Sequence, residues 1–409
     1  MFPGEFNQTG WTHGASLDGF LRMMNSERLM TNSDMPMPID FQAILKAHEQ
    51  GLNLNEGQLT LIAGDASDRK FFRLESSFLK AICMKFPKWD GGYGGDPISW
   101  LGMHSALTGL GIPVPRVLFV DEENACIWTE DFGDQFLNFK LGQRVLDEQD
   151  PECALTFNLF KEALELLVQI QYPRRPILHH PAENRAFDYE KLSFEMNFFI
   201  THFVKGWLGL PLTETDPHDR ALMREFESLC TQLHGTERVL CHRDYHVRNV
   251  MVVNDRVKWI DFQDARMGPH TYDVVSLLRD SYTKITPQTR CSLLKFYWTQ
   301  LNEARNKCGR PPLSLEKLSH EASLMALQRN IKALGSFGYL ATQKQKTSYL
   351  KYVGSTIDTI VADDFSEISG LKIGTAFPAI IDFLSNIKNG HWKPLFEARL
   401  RAFGIAESF

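Results

Sequence analysis

Nowhere in the 409 residues is there a run of about 20 apolar side chains, the length needed to cross a bilayer, and no apolar signal-peptide core stands near Met1. A cytoplasmic protein without a membrane partner is therefore expected. Excess positive charge is missing too. Lys and Arg number 44 against 50 Asp and Glu, a formal charge of -6, which argues against nucleic acid as the main partner because phosphate backbones are held by clustered cations. The seven cysteines, Cys83, Cys126, Cys153, Cys230, Cys241, Cys291 and Cys308, are odd in number and contain no CxxC pair. That removes zinc-ribbon and dithiol chemistry and leaves reduced, mostly buried thiols. His246, His179 and His180 find no partner at metal-ligand spacing and receive no metal role. A Walker phosphate loop is also absent: the run Gly91-Gly92-Tyr93-Gly94-Gly95 has no following GK[ST] and reads as a connector. There is no internal repeat and no low-complexity tract.

What remains is a chain of ordinary globular composition, 43% hydrophobic and 23% charged, too long for one compact core. Two lobes are expected. Residues 1–37 mix Gly, Asn, Ser and Met without periodicity and are expected to form a loose N-terminal extension, with Met35 or Met37 as alternative starts. Three short runs, residues 58–63, 70–75 and 78–86, are separated by turn-rich segments and predict an antiparallel meander. A helix over 97–110 and two strands, 117–120 and 125–130, around Asp121-Glu122-Glu123-Asn124 complete a small lobe. The expected boundaries are 1–37 for the extension, 38–133 for a nucleotide-binding lobe and 134–409 for a second lobe.

After Gly133 apolar residues recur at helical spacing, as in Phe157, Phe160, Leu164, Leu167 and Val168, so the second lobe is mainly helical. One stretch departs from this pattern. Residues 239–241, 250–253 and 256–260 read as strands, the last two joined by Asn254-Asp255, a two-residue hairpin turn. The fold class is α+β, with a small antiparallel-sheet lobe and a mainly helical one.

The chemistry-bearing residues gather at this hairpin. His242-Arg243-Asp244 is followed, after four intervening residues, by Asn249, the H-R-D-x-x-x-x-N spacing of kinase catalytic loops. The hairpin doubles the chain back, so Asn249 before its first strand and Asp261 after its second lie at one end. An amide oxygen and a carboxylate then converge, and two protein oxygens are enough for Mg²⁺, which keeps waters and substrate phosphates as its other ligands. Asp244 beside them is the candidate catalytic base for a substrate hydroxyl. The alternative is that these acids only cap turns. Lys85 closes the apolar strand Ala81-Ile82-Cys83-Met84-Lys85, where kinases place the lysine that grips nucleotide phosphates, although a strand-end lysine is also a common solvated edge charge. Gly64-Asp65-Ala66-Ser67-Asp68 has a single glycine and is a poor GxGxxG, yet its amides and the Ser67 hydroxyl suit a phosphate.

Over roughly residues 40–390 these motifs resemble the aminoglycoside phosphotransferase and choline kinase superfamily, with its protein-kinase-like two-lobed fold. Within it the sequence is most similar to the bacterial anomeric kinases of N-acetylmuramate and N-acetylglucosamine. Gly64-Asp65-Ala66-Ser67, His242-Arg243-Asp244, Ile260-Asp261-Phe262-Gln263-Asp264-Ala265, Gly268-Pro269, Thr271-Tyr272-Asp273, Ser276-Leu277-Leu278-Arg279-Asp280 and Gln328-Arg329-Asn330-Ile331-Lys332-Ala333-Leu334-Gly335 carry the likeness. It implies ATP and Mg²⁺ as cofactors, a small sugar as partner, and a monomer or weak dimer. It also implies that Ser67 and Lys85 touch phosphates, that Glu130, Asp131 and Phe132 belong to a hinge holding adenine, and that Asp273 braces the catalytic loop.

Asp280, Arg329 and Lys332 are the sugar-side candidates. Arg329 and Lys332, three residues apart on one helix face, suit the lactyl carboxylate that only N-acetylmuramate carries; a solvated face or a salt bridge with Asp280 is the alternative. One departure stands out: the helix over 97–110 offers no glutamate to pair with Lys85, leaving Asp96 or the phosphates for that task. The expected activity is ATP-dependent phosphorylation of an anomeric hydroxyl in cell-wall sugar recycling. A kinase of another small alcohol, such as an aminoglycoside or choline, and a non-catalytic nucleotide-binding regulator are the rivals.

Overall fold

The computed structural model describes residues 58–62, 69–75, 80–89, 96–174, 180–362 and 365–405. The extension over 1–37, the Gly64 to Asp68 turn with Ser67, the Gly91 to Gly95 connector and His179 lie outside the described residues. Two compact units emerge, one comprising Met1–Asp90 with Pro115–Asp131 and the other Gly91–Val114 with Phe132–Phe409.

The first unit holds a five-stranded antiparallel sheet in the order β1-β2-β3-β5-β4, with β1 Gln58–Ile62, β2 Lys70–Glu75, β3 Lys80–Lys85, β4 Val117–Asp121 and β5 Cys126–Glu130. The meander and the later pair of strands stand where the sequence pattern puts them. Leu74, Ala81, Cys83, Leu118, Cys126 and Trp128 make its core. In register, Cys83 faces Trp128 and Lys85 faces Cys126. Strand period two therefore puts Lys85 on the core-facing row of Ala81 and Cys83, at its end.

The second unit is largely helical. Helix α1, Pro97–Gly109, opens on Asp96, whose carboxylate accepts from the Ser99 amide, with Pro97 in the first turn. The sequence pattern groups this helix with the small lobe, but it packs in the helical unit. Its Trp100 ring sits 5.1 Å from Phe262, Ser99 accepts from Arg185 at 2.6 Å, and a Cβ on Gly102 would come within 2.8 Å of Pro181. The cause is its buried face of Trp100, Met103 and Leu107, which needs an apolar partner.

Helix α2, Ala154–Gln171, buries Phe160, Leu164, Leu167 and Val168 as the periodicity requires, while Phe157 stays half-buried under the Lys161 ammonium. The other main helices are α3 Tyr189–Phe199, which runs directly into a π-helix Ile200–Leu208, then α4 Pro217–His234, α5 Tyr272–Leu278, α6 Pro287–Lys307 and α7 Leu315–Thr342. Two small sheets interrupt them. Strands β7 Val250–Val253 and β8 Arg256–Trp259 form the expected hairpin, and positive φ at both Asn254 and Asp255 gives its tight turn. Strand β6 Arg238–Cys241 pairs with β9 Arg266–Pro269. That last strand escapes a sequence reading because a glycine and a proline make up half of it; Gly268 is needed there, since a Cβ would meet Cys241 Sγ and Phe187 Cβ at 3.1 Å each.

Candidate active site

Strand β6 delivers the loop that carries Asp244. The fully buried Asp273, in the first turn of α5, accepts from the His242 amide at 2.6 Å and the Arg243 amide at 2.9 Å. Two hydrogen bonds to one side chain thus clamp the loop's entry. Arg243 takes a φ of 80°, an uncommon value for a side-chain-bearing residue and one that reverses the chain just before Asp244. Downstream, Asp280 accepts from the Val247 amide at 2.9 Å and the Tyr282 amide at 2.8 Å. Both of its oxygens are used in shaping the loop's exit, although the residue also borders the cleft described below.

The hairpin closes as its turn predicts. The Ile260 amide donates to the Asn249 carbonyl at 3.1 Å, and Asn249 Nδ2 lies 2.9 Å from the Asp244 carbonyl oxygen and 3.3 Å from Asp261 Oδ2. Both partners are pure acceptors, which fixes the amide with its nitrogen toward them and leaves the lone pairs of Oδ1 for a metal or an outside hydrogen-bond donor. Asp261, at a φ of 62°, is turned back toward the loop and also accepts from Gln263 Nε2 at 2.9 Å. Gln263 is a positioning residue that the spacing argument does not reveal. Among the described residues no group of three or more His, Cys, Asp or Glu could hold a metal. One carboxylate plus one amide oxygen, both hard donors, nevertheless fits Mg²⁺ completed by phosphates and water.

Asp244 is half-buried. Burial opposes its ionisation, but Arg243, Lys332, His246 and Arg329 outweigh it and hold the carboxyl well below the usual range. Arg243 Nη1 is 3.7 Å from Asp244 and 3.2 Å from Asp264. Asp244 borders a cleft lined also by His246, Asp280, Arg329, Asn330 and Lys332. The three residues expected on the sugar side, Asp280, Arg329 and Lys332, line the same cleft as the candidate base.

Their states differ. Arg329 donates from Nε to Ser276 Oγ at 3.0 Å and lies over the Tyr272 ring. The Lys332 ammonium has no hydrogen bond or ion-pair contact to any described residue; burial, with Arg329 close by, draws its pKa down to about 8. Burial pushes Asp280 up and His246 down. His246 Nδ1 and Asn330 Oδ1 are buried polar atoms without a hydrogen-bond partner among the described residues. Neither residue announces itself in the sequence, since unmet hydrogen bonds exist only once the helices are packed. A larger hollow of about 560 Å³ lies elsewhere on this unit, beside Gln169, Arg174 and Lys307, away from all these groups.

In the first unit Lys85 donates to the Asn124 carbonyl. Asp121 accepts from the Asn124 amide at 3.0 Å and from its side chain at 2.8 Å, which holds that carbonyl in place. Asp96, weighed above as a partner for Lys85, is used otherwise: its oxygens accept from the Ser99 amide at 2.8 Å and the Ser99 hydroxyl at 2.6 Å. Glu130 ends β5 with its carboxylate 3.5 Å from Arg116, Asp131 is bound by Arg73 at 2.7 Å, and the buried Phe132 begins the helical unit. The acidic side chains of the expected hinge are thus engaged with basic neighbours.

A model of the phosphotransferase enzyme family matches residues 58–303, more than half of the chain. The chain belongs to that family. The N-acetylmuramate/N-acetylglucosamine kinase of Neisseria meningitidis is 30% identical over 297 residues, 71% of this chain and 81% of that protein. The Pseudomonas aeruginosa protein of the same name is 28% identical, over 72% of this chain and 80% of its own length. Among solved structures, choline kinase LicA from Streptococcus pneumoniae superposes with a TM-score of 0.51 at 15% identity, covering 79% of this chain and all of that one. This last likeness concerns the fold alone, and it agrees with the two-lobed, protein-kinase-like architecture. Membership supports an ATP-dependent phosphotransferase acting on a small molecule. No described helix is long and apolar enough to cross a membrane.

Proposed function

We propose that this phosphotransferase moves the γ-phosphoryl group of ATP onto the anomeric hydroxyl of N-acetylmuramate and N-acetylglucosamine, giving a sugar 1-phosphate and ADP in the recycling of cell-wall sugars. The observation that carries the reading is the cleft beside Asp244. Its lining of Asp244, His246, Ser276, Asp280, Arg329 and Asn330, together with a Lys332 ammonium in no ion pair with a described residue, suits a ligand rich in hydrogen-bonding groups. The names of the two bacterial relatives supply the sugars.

In this reading Asp244 receives the proton of the C1 hydroxyl as its oxygen bonds to the γ-phosphorus and the bond from phosphorus to the β,γ-bridging oxygen breaks, releasing ADP. A hemiacetal hydroxyl is more acidic than an ordinary alcohol, so a carboxylate of low pKa is base enough, its main work being to orient the nucleophile. Asn249 and Asp261 would hold Mg²⁺, which when bound neutralises phosphate charge. Lys85, kept in place by Asn124, and Ser67 would take phosphates, and residues 130–133 would hold adenine. Asp273 positions the entry of the loop and Asp280 its exit, and Asp280 also borders the cleft on the sugar side.

Choline or an aminoglycoside is a poorer acceptor here, because Arg329 and Lys332 beside the base would repel a cationic substrate. A regulator without catalysis would be expected to lack one of Lys85, Asp244, Asn249 or Asp261, and the chain has all four. Nucleotide turnover with N-acetylmuramate, N-acetylglucosamine, kanamycin and choline tests the reading. Turnover with the two amino sugars alone, giving an acid-labile phosphate, is expected; a preference for kanamycin or choline would replace it.

A further inference from the structure

The sequence leaves Arg329 and Lys332 as equal candidates for reading an acidic acceptor, and the structure separates them. The guanidinium of Arg329 is already employed, donating to Ser276 at 3.0 Å and lying against the Tyr272 ring, with Asp244, Glu195 and Asp280 as negative neighbours. One turn further along α7, Lys332 borders the same cleft and its ammonium bonds to no described group. Neither acid facing it forms an ion pair with it: Asp244 has Arg243 at 3.7 Å, and Glu195, reaching in from α3, accepts from Gln328 at 3.1 Å through Oε2 while its buried Oε1 has no hydrogen-bond partner among the described residues. Asp244 and Glu195 attract the ammonium, yet no described carboxylate comes within ion-pair distance of it, so this half-buried cation is open to an anion that enters the cleft.

The backbone keeps it there. Gly335, one turn beyond Lys332, lets α7 approach so closely that a Cβ would stand 2.8 Å from the Phe199 Cα. Lys332 is therefore carried on a helix pressed against its neighbour rather than on a movable loop.

We propose that Lys332, and not Arg329, is the specificity residue that binds the carboxylate of an acidic acceptor, so that N-acetylmuramate is distinguished from N-acetylglucosamine at its lactyl group. This rests on the amino-sugar reading above. The two sugars share the C1 hydroxyl and the acetamido group and differ only in the lactyl ether at C3, two ring positions from the reacting oxygen. A cation that lines the same cleft as Asp244 but is carried on α7, its ammonium in no ion pair with a described residue, suits such a difference.

The experiment compares Lys332→Met, Lys332→Arg and Arg329→Lys with the unaltered protein, measuring kcat/KM for both sugars and their calorimetric Kd without nucleotide. For Lys332→Met the ratio of kcat/KM for N-acetylmuramate to that for N-acetylglucosamine should fall roughly tenfold or more, the scale of one charge-assisted hydrogen bond. Lys332→Arg should recover most of the ratio, and Arg329→Lys should leave it near its starting value. Equal losses on both sugars in Lys332→Met, or a ratio that moves only in Arg329→Lys, would overturn the assignment while leaving the amino-sugar reading intact. If N-acetylmuramate binds in a Lys332-dependent manner but is not phosphorylated, the carboxylate site stands and the proposed reaction fails. If neither sugar binds, both are wrong.

Discussion

Asn249 Nδ2 and Asp261 Oδ2 lie 3.3 Å apart although twelve positions separate them in the chain. The two-residue turn at Asn254 and Asp255 folds β7 onto β8, and the residues just outside the hairpin meet at its open end. If this pair holds Mg²⁺, the charged partner should matter more. Asp261→Ala is expected to abolish Mg²⁺-dependent turnover and Asn249→Ala to raise the Mg²⁺ concentration needed for half-maximal rate by roughly tenfold or more. Titration of activity against Mg²⁺ checks both, and an unaltered requirement in Asp261→Ala would remove it as a ligand.

Asp244 is held ionised by its surroundings, with the Arg243 charge the largest influence acting against its burial. Asp244→Ala should lower kcat by about 10²-fold or more with little change in nucleotide affinity, because positioned bases contribute on that scale. The low pKa adds a second expectation: as pH falls from 7 to 5 the carboxylate stays unprotonated, so kcat should show no acid limb from this group. Single-turnover rates across that range measure it. A limb near pH 6 that vanishes in Asp244→Ala would contradict the electrostatic account.

How much of this was legible beforehand follows from the range of the interactions. The hairpin, the convergence of Asn249 with Asp261 and the meander ending on Lys85 are set by neighbours in sequence, and they stand where the pattern puts them. The allegiance of α1 was not legible, because Trp100 meets Phe262 only through tertiary packing. The partner of Lys85 was hidden for a related reason. A backbone carbonyl has no letter in the sequence, so a search for a helix glutamate or Asp96 passes over Asn124. The different duties of Arg329 and Lys332 turn on Ser276 and Tyr272, more than 50 positions upstream.

The Lys85 arrangement leads to a test at a distance. Asp121 touches Asn124 rather than the lysine, and its two hydrogen bonds fix the carbonyl that receives the ammonium. Asp121→Ala should release this turn and raise the KM for ATP roughly threefold to tenfold, the loss of about one net hydrogen bond, with the acceptor KM much less affected. Lys85→Met should cost more. If Asp121→Ala leaves the ATP KM unaltered while Lys85→Met raises it, the Asn124 carbonyl has no part in positioning the lysine.

Close approach of α7 to the π-helix Ile200–Leu208 has a stability consequence. A Cβ on Gly338 would lie 2.5 Å from the His202 carbonyl oxygen and 2.8 Å from the Phe203 Cα, both backbone atoms that cannot swing aside. Alanine ordinarily favours a helix by about 1 kcal/mol over glycine, but overpacking against backbone costs about 1–3 kcal/mol. Gly338→Ala should therefore lower the denaturation midpoint. Gly374→Ala, in a short helix with nothing within 4 Å of the added carbon, is the control and should be neutral or slightly stabilising.

The pH dependence of sugar choice is the most direct physical reading of Lys332. Its pKa is drawn down to about 8, first by burial and then by the Arg329 charge, against the attraction of Asp244 and Glu195 and with Arg243 adding to the repulsion. The sign follows from which form binds: the ammonium attracts a carboxylate and the neutral amine does not. Selectivity for N-acetylmuramate should accordingly be full at pH 6.5 to 7 and decline as pH rises through about 8. N-acetylglucosamine has no carboxylate, so any general alkaline effect on catalysis cancels in the ratio of the two kcat/KM values. The ratio should fall with a midpoint near 8, and in Lys332→Arg the fall should disappear, since a guanidinium remains charged throughout. A decline that persists unchanged in Lys332→Arg would assign the titration to another group and detach the selectivity from this lysine.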